Sequence, residues 1–176
     1  MYAIKRFIIT MMFLCVTPFL SANAESGVGE NIGDWRIISG QEKGKNYCYA
    51  YTTPFRTKAF DGDFRGPAYL ILVSKSPKEI SVGVNPGFIV DKHKGFTMKV
   101  NGRVHLLDLK LSQNSWTSSA FQDVAILDDM IEEDNFIEVR SYDMKDHVAL
   151  DYYSLKGFPN VYNKLTTSCH QIQKAS

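Results

Sequence analysis

Phe96-Thr97-Met98-Lys99-Val100-Asn101-Gly102-Arg103-Val104-His105-Leu106-Leu107 is the stretch that decides the fold class. Apolar residues alternate with polar ones up to Asn101-Gly102 and continue beyond it. A period of two is the mark of a half-buried strand, and Asn-Gly is a strong turn signal between two strands. The register follows from parity. A two-residue loop would set Val100 opposite Arg103 and Met98 opposite His105, mixing apolar and polar groups on each face. A three-residue loop, Val100-Asn101-Gly102, pairs Met98 with Val104 and Phe96 with Leu106. It also puts Gly102 where a left-handed residue is needed, at the cost of Lys99 facing Arg103. The expectation is therefore the three-residue loop, with His105 an ordinary surface histidine on the outer face.

Working outward, the same pattern recurs. Upstream, residues 34–38 read as a strand with Trp35 and Ile37 on one face. A polar turn over 41–46 leads to residues 47–53, rich in tyrosine and threonine and stopped by Pro54. Residues 55–67 read as a long loop containing Asp61 and Asp63. Residues 68–73 are nearly all apolar, as in a central strand buried on both faces. Ile80, Val82 and Val84 then alternate with small residues up to Asn85-Pro86-Gly87. Downstream, Val124, Leu127, Met130 and Ile131 fall at helical spacing, so residues 123–131 are expected to be one short helix. The acid run Glu132-Glu133-Asp134 follows it, and Asn135 is the candidate left-handed cap. Strands are expected over 136–142 and 147–155 around a turn at 143–146. A final helical turn or two is expected over 158–165, with Pro159 in its first turn. The sum is an all-β fold, a single-domain antiparallel sandwich or barrel-like structure with one or two short helices, spanning residues 34–176.

The N-terminus points to export. Lys5 and Arg6 precede a short apolar run over residues 7–20, and Ser21-Ala22-Asn23-Ala24 supplies small residues for cleavage after Ala24. The run is shorter than a membrane-spanning helix requires, and the alternative is an uncleaved anchor. Residues 1–24 are thus read as a secretory signal peptide, and residues 25–33 as a flexible, Gly-rich lead. No later apolar run is long enough to span a membrane. Cys15 leaves with the signal, and Cys48 and Cys169 remain. In an oxidising compartment these are most simply one disulfide, the alternatives being free thiols or a metal pair with His170.

Without the signal, 18 basic residues face 19 acidic ones, a net charge of −1 that excludes a generally basic nucleic-acid binder. The charge is uneven: residues 56–110 carry +5 and residues 111–155 carry −8. Lys92, His93 and Lys94 on one side, and Glu132, Glu133 and Asp134 on the other, form a candidate dipolar binding surface. Neither a G-x-S-x-G elbow nor an H-E-x-x-H motif is present, the histidines are scattered, and nothing calls for a cofactor or a metal. Tyr47, Tyr49 and Tyr51 are either a ligand platform or one packed strand face.

Cys48-Tyr49-Ala50, the block Asp151-Tyr152-Tyr153-Ser154-Leu155-Lys156-Gly157-Phe158 and the closing Cys169 resemble the invasion-associated locus B family of exported alphaproteobacterial proteins. The resemblance runs roughly from Trp35 to Cys169. It departs at Met144-Lys145-Asp146, where members carry a glycine-containing turn. It implies a periplasmic or other cell-envelope protein, surface-exposed or secreted, associated with invasion of host cells, and it supplies no catalytic residue. Two functions follow as expectations. One is a non-enzymatic binding or structural module for an envelope or host protein or glycan, serving host interaction or envelope integrity. The other is a periplasmic enzyme or enzyme modulator.

Overall fold

Alternating side chains divide each long strand into a buried and a half-exposed set, and stacking the buried sets builds the molecule. The computed structural model describes residues 27–43, 45–58, 60, 64–91, 93–94, 96–111, 113–133, 135–167 and 169. The expected signal segment, Asp61, Asp63, Lys92, Asp134 and His170 lie outside the described residues. The chain runs β1 (Val28–Ile32), β2 (Trp35–Glu42), β3 (Lys45–Thr52), β4 (Arg56–Lys58), β5 (Tyr69–Ser76), β6 (Glu79–Asn85), β7 (Phe96–Val100). It continues through β8 (Arg103–Leu107), β9 (Leu109–Leu111), β10 (Asn114–Trp116), α1 (Ala120–Glu132), β11 (Phe136–Tyr142), β12 (Val148–Ser154) and α2 (Phe158–Thr166). No helix among the described residues is long and apolar enough to cross a membrane.

The strands form two antiparallel sheets, ordered β1-β2-β3-β5-β6-β10-β9 and β4-β12-β11-β7-β8. Neither closes on itself, so the architecture is the open-sheet form of the expected all-β fold and not a barrel. One core cluster joins them: Trp35, Ile37, Cys48, Leu70, Leu72 and Val82 from the larger sheet, and Phe96, Met98, Ile137, Val139 and Tyr153 from the smaller. Ile126 and Met130 of α1 and Phe158, Val161 and Leu165 of α2 complete it. Cys48 on β3 and Cys169 beyond α2 are disulfide-bonded with Cα atoms 5.9 Å apart, within the usual reach.

The D-x-Y-S-L-x-G-F block is the junction of these parts. Asp151, Tyr153, Leu155 and Phe158 are all buried. Trp35 Nε1 donates to the Ser154 carbonyl at 3.1 Å, and its ring lies 5.5 Å from that of Phe158. Gly157 enters α2 with φ +90°, and Gly33 (φ +59°) packs so tightly that a Cβ there would meet the Lys156 carbonyl oxygen at 2.2 Å. Only glycine combines that left-handed backbone with so close an approach.

Several expectations need correction. The hairpin has a two-residue loop: Val100 pairs with Arg103, Lys99 with Val104 and Met98 with His105. Asn101 and Gly102 both have positive φ, the backbone of the tight turn that matches strand twist. The parity argument failed because Asp129 of α1 receives Arg103 and His105 on the inner face, leaving Val104 63% and Leu106 53% exposed. Residues 28–32, expected to fray, pair with β2 along their length. The expected loop over 55–67 contains β4, paired to β12. Strand β5 is central, but its outward residues Tyr69, Ile71 and Val73 are only half-buried. Helix α1 turns Asp123, Ile126 and Asp129 inward beside Leu127 and Met130, while Val124 and Ile131 are exposed. It ends at Glu133, an extended cap, and not at a left-handed Asn135 cap.

Candidate functional site

Three aspartates among the described residues, Asp123, Asp129 and Asp151, are buried, and each is occupied in holding the fold. Asp151, on β12, binds Arg65 through both carboxylate oxygens, one at 2.9 Å, and accepts from Thr57 Oγ1 at 2.7 Å. Arg65 Nε donates to the Pro86 carbonyl at 2.7 Å, and its guanidinium lies 5.5 Å from the Phe60 ring and 5.8 Å from the Phe88 ring. The pair thereby clamps the chain around Arg65 to the smaller sheet. Asp129, 1% exposed at its side chain, accepts from Arg103 Nη1 and contacts His105 Nε2 at 2.7 Å, tying α1 to β8. Asp123 accepts from the Val82 backbone N–H at 2.7 Å and from Thr117 Oγ1, tying α1 to β6. Burying an ionised carboxylate is costly unless such partners are present, and here each has them.

The outward faces of the two sheets differ in chemistry. On the larger sheet the cross-strand rows are Arg36–Tyr51–Ile71–Gly83–Trp116–Leu109 and Ile38–Tyr49–Val73–Ser81. Tyr47, Tyr49 and Tyr51 stack at 6.1 and 6.4 Å, and Tyr69 meets Tyr51 edge-on at 6.4 Å. All four rings are half-buried. Partial burial, then the neighbouring Tyr47 and Tyr51, raise the Tyr49 phenol above its ordinary value. Gly83 is the seat of Trp116: a Cβ there would strike the indole at 2.5 Å. The outward face of a one-side-solvated sheet is normally polar, whereas this one is aromatic and aliphatic.

On the smaller sheet the outward rows are Arg56–Tyr152–Glu138–Lys99–Val104 and Lys58–Leu150–Arg140–Thr97–Leu106. Arg56 and Lys58 lie 5.8 and 5.5 Å from the Tyr152 ring centroid. Partial burial, then a hydrogen bond to Glu138, raise the Tyr152 phenol.

The residues singled out from the sequence separate. His93 is exposed before β7, and its backbone N–H donates to Asp91 Oδ1 at 2.8 Å. Lys94 bonds Asp146 at 2.6 Å and lies 5.1 Å from the Tyr142 ring. At the other end of β7, Glu132 accepts from Asn101 Nδ2 at 2.7 Å, and Glu133 accepts from Asn135. The basic and acidic segments also interleave: Arg65–Asp151, Lys94–Asp146 and Arg103–Asp129 each join one to the other. Of the candidate dipolar surface, Lys92 and Asp134 lie outside the described residues. The smaller sheet's basic face went unread because its cations come from β4, β7 and β11, which only the sheet order brings together.

This fold has a solved counterpart. The crystal structure of invasion associated protein B from Bartonella henselae is similar to this chain with a TM-score of 0.58, covering 84% of this chain and 97% of that one at 16% identity. No family model matches the chain, and no curated protein matches it in sequence. The likeness is one of fold.

Proposed function

We propose that this chain is exported to a bacterial cell envelope, loses residues 1–24 on the way, and works there as a binding or structural module rather than as a catalyst. Its contribution in that reading is to host-cell interaction or envelope integrity. The observation that carries the proposal is the outward face of the larger sheet, where Tyr47, Tyr49, Tyr51, Tyr69, Ile71 and Trp116 stand in place of the polar residues expected on a solvated sheet. The buried aspartates support it, since Asp123, Asp129 and Asp151 are engaged by internal donors. The fold likeness to an invasion-associated protein and the signal-like N-terminus support the envelope setting.

Two measurements test this. Intact-mass analysis of the exported protein should give a chain starting at Glu25; a species retaining residues 1–24 in the envelope would contradict processing. Crosslinking in intact cells followed by purification should recover a reproducible envelope or host partner, protein or glycan. Recovery of the chain alone would contradict the binding role.

A further inference from the structure

We infer that the outward face of the smaller sheet is a binding site for an extended anionic glycan, a refinement that rests on the surface-binding reading above. The first observation is a set of cations left without counter-charges. Arg65, Lys75, Lys94, Arg103 and Lys164 each stand against a carboxylate. Arg56, Lys58, Lys99 and Arg140 do not: among the described residues, none of the four has a carboxylate within 4 Å. All four are exposed.

The second observation is their spacing. Arg56 and Lys58 alternate along β4, Arg140 stands two strands from Lys58, and Lys99 stands three strands from Arg56. At about 4.8 Å per strand, those separations are roughly 10 and 14 Å across a flat face. Such an array cannot converge on one small anion. It suits a chain whose charges recur over several sugar units. Glu138 shares the face, beside the Tyr152 phenol whose pKa it raises.

The third observation is what lies between the charges. An open groove of about 510 Å³ is lined by Arg56, Lys58, Lys99 and Tyr152 together with Asn101 and Asn135. Phe136, 45% exposed, meets Tyr152 edge-on at 5.5 Å, and Phe55 meets Phe136 at 6.4 Å. Exposed rings offer faces for the C–H side of a sugar, the amides can bond hydroxyls, and guanidinium forks match carboxylate or sulfate. Glu133 and Glu138 also line this groove, and anionic phospholipid is therefore tested beside the glycan.

The test uses the processed full chain and heparin oligosaccharides, with dextran of equal length as the neutral control and anionic phospholipid vesicles as the lipid control. Heparin should bind and dextran should not, with affinity falling at least about tenfold between 50 and 200 mM salt as counterions compete for the cations. K58E/R140E should weaken binding at least about tenfold, and so should the milder R56Q/K58Q pair, which guards against misfolding of the reversal. Lys78→Glu, on the exposed turn before β6, should leave it unchanged. Absent heparin binding, binding indifferent to both variants, or equal binding to vesicles would overturn the inference. If heparin fails while crosslinking in intact cells still captures a partner, the glycan assignment falls and the surface-binding reading stands. If both fail, both fall.

Discussion

Across β3 and β5 the outward residues are Tyr47, Tyr49, Tyr51, Tyr69, Ile71 and Val73; across β4, β7 and β11 they are Arg56, Lys58, Lys99, Glu138 and Arg140. Inward, the two sheets carry the same kind of residue: Leu70, Leu72 and Val82 in one, and Met98, Ile137 and Val139 in the other. The inward set is dictated by burial, which stabilises by roughly 25 cal/mol per Å² of apolar surface and tolerates little else. The outward set is under no such demand, so its composition reports what the surface meets. One sheet presents rings and the other cations without an ion-pair partner among the described residues, so under the proposed binding role they would meet different partners or different parts of one partner.

The comparison separates groups that hold the fold from groups that face outward, and it can be broken at graded cost. The largest effect belongs to the disulfide. Replacing Cys48 and Cys169 with alanine opens a loop closed across a sequence separation of 121. Urea unfolding should lose about 4–5 kcal/mol in the chain-entropy account. Next is Arg65→Met, which strands the fully buried Asp151 and should cost about 3–5 kcal/mol, with D151L/R65M recovering much of it. Arg103→Met should cost under about 1 kcal/mol, since Arg103 is largely exposed and His105 still serves Asp129. Equal losses at Arg65 and Arg103 would show that the two buried acids are not held differently.

Two glycines fall within the same range. Gly33→Ala drives a Cβ into the Lys156 carbonyl and should cost about 3 kcal/mol, whereas Gly102→Ala meets nothing within 4 Å and should show only left-handed strain, about 1 kcal/mol. The smallest effect is at Asp143. Burial alone would raise its pKa, but bonds from the His147 ring and from the His147 and Lys145 backbone N–H groups outweigh that and hold it below the ordinary 3.8. A depressed carboxyl stabilises fully above its unfolded pKa and loses that stabilisation as pH falls through the lower, folded value. Asp143→Asn should therefore flatten the fall in stability as pH drops below about 4, relative to the parent chain. An unchanged slope there would remove the role of the His147 bonds.

What could be read in advance follows the same division. Trp35, Ile37, Met98 and Phe158 were legible as core because apolar periodicity is a direct record of burial. The pairing of Cys48 with Cys169 was the simplest outcome for two cysteines in an oxidising compartment. The hairpin register was not legible by parity, because parity counts His105 and Arg103 as polar and cannot see that Asp129, far along the chain, will receive them. The turn dipeptide Asn101-Gly102 held the better signal. Strands β4, β9 and β10 have three residues each, too short for alternation to register. The charge runs were visible, but their meaning was not. Lys94 and Arg103 proved to be paired, and the cations without an ion-pair partner among the described residues are spread over β4, β7 and β11.

The central claim is that this chain works through the outward faces of its sheets. The most direct test is site-specific photo-crosslinking in intact cells, with the reactive side chain placed at Ile71 on the larger sheet, at Thr97 on the smaller, or at Pro77 on the exposed turn before β6. The expected result is a discrete crosslinked partner from Ile71, Thr97 or both, and none from Pro77. Crosslinks of equal yield at all three positions, or only at Pro77, would contradict it.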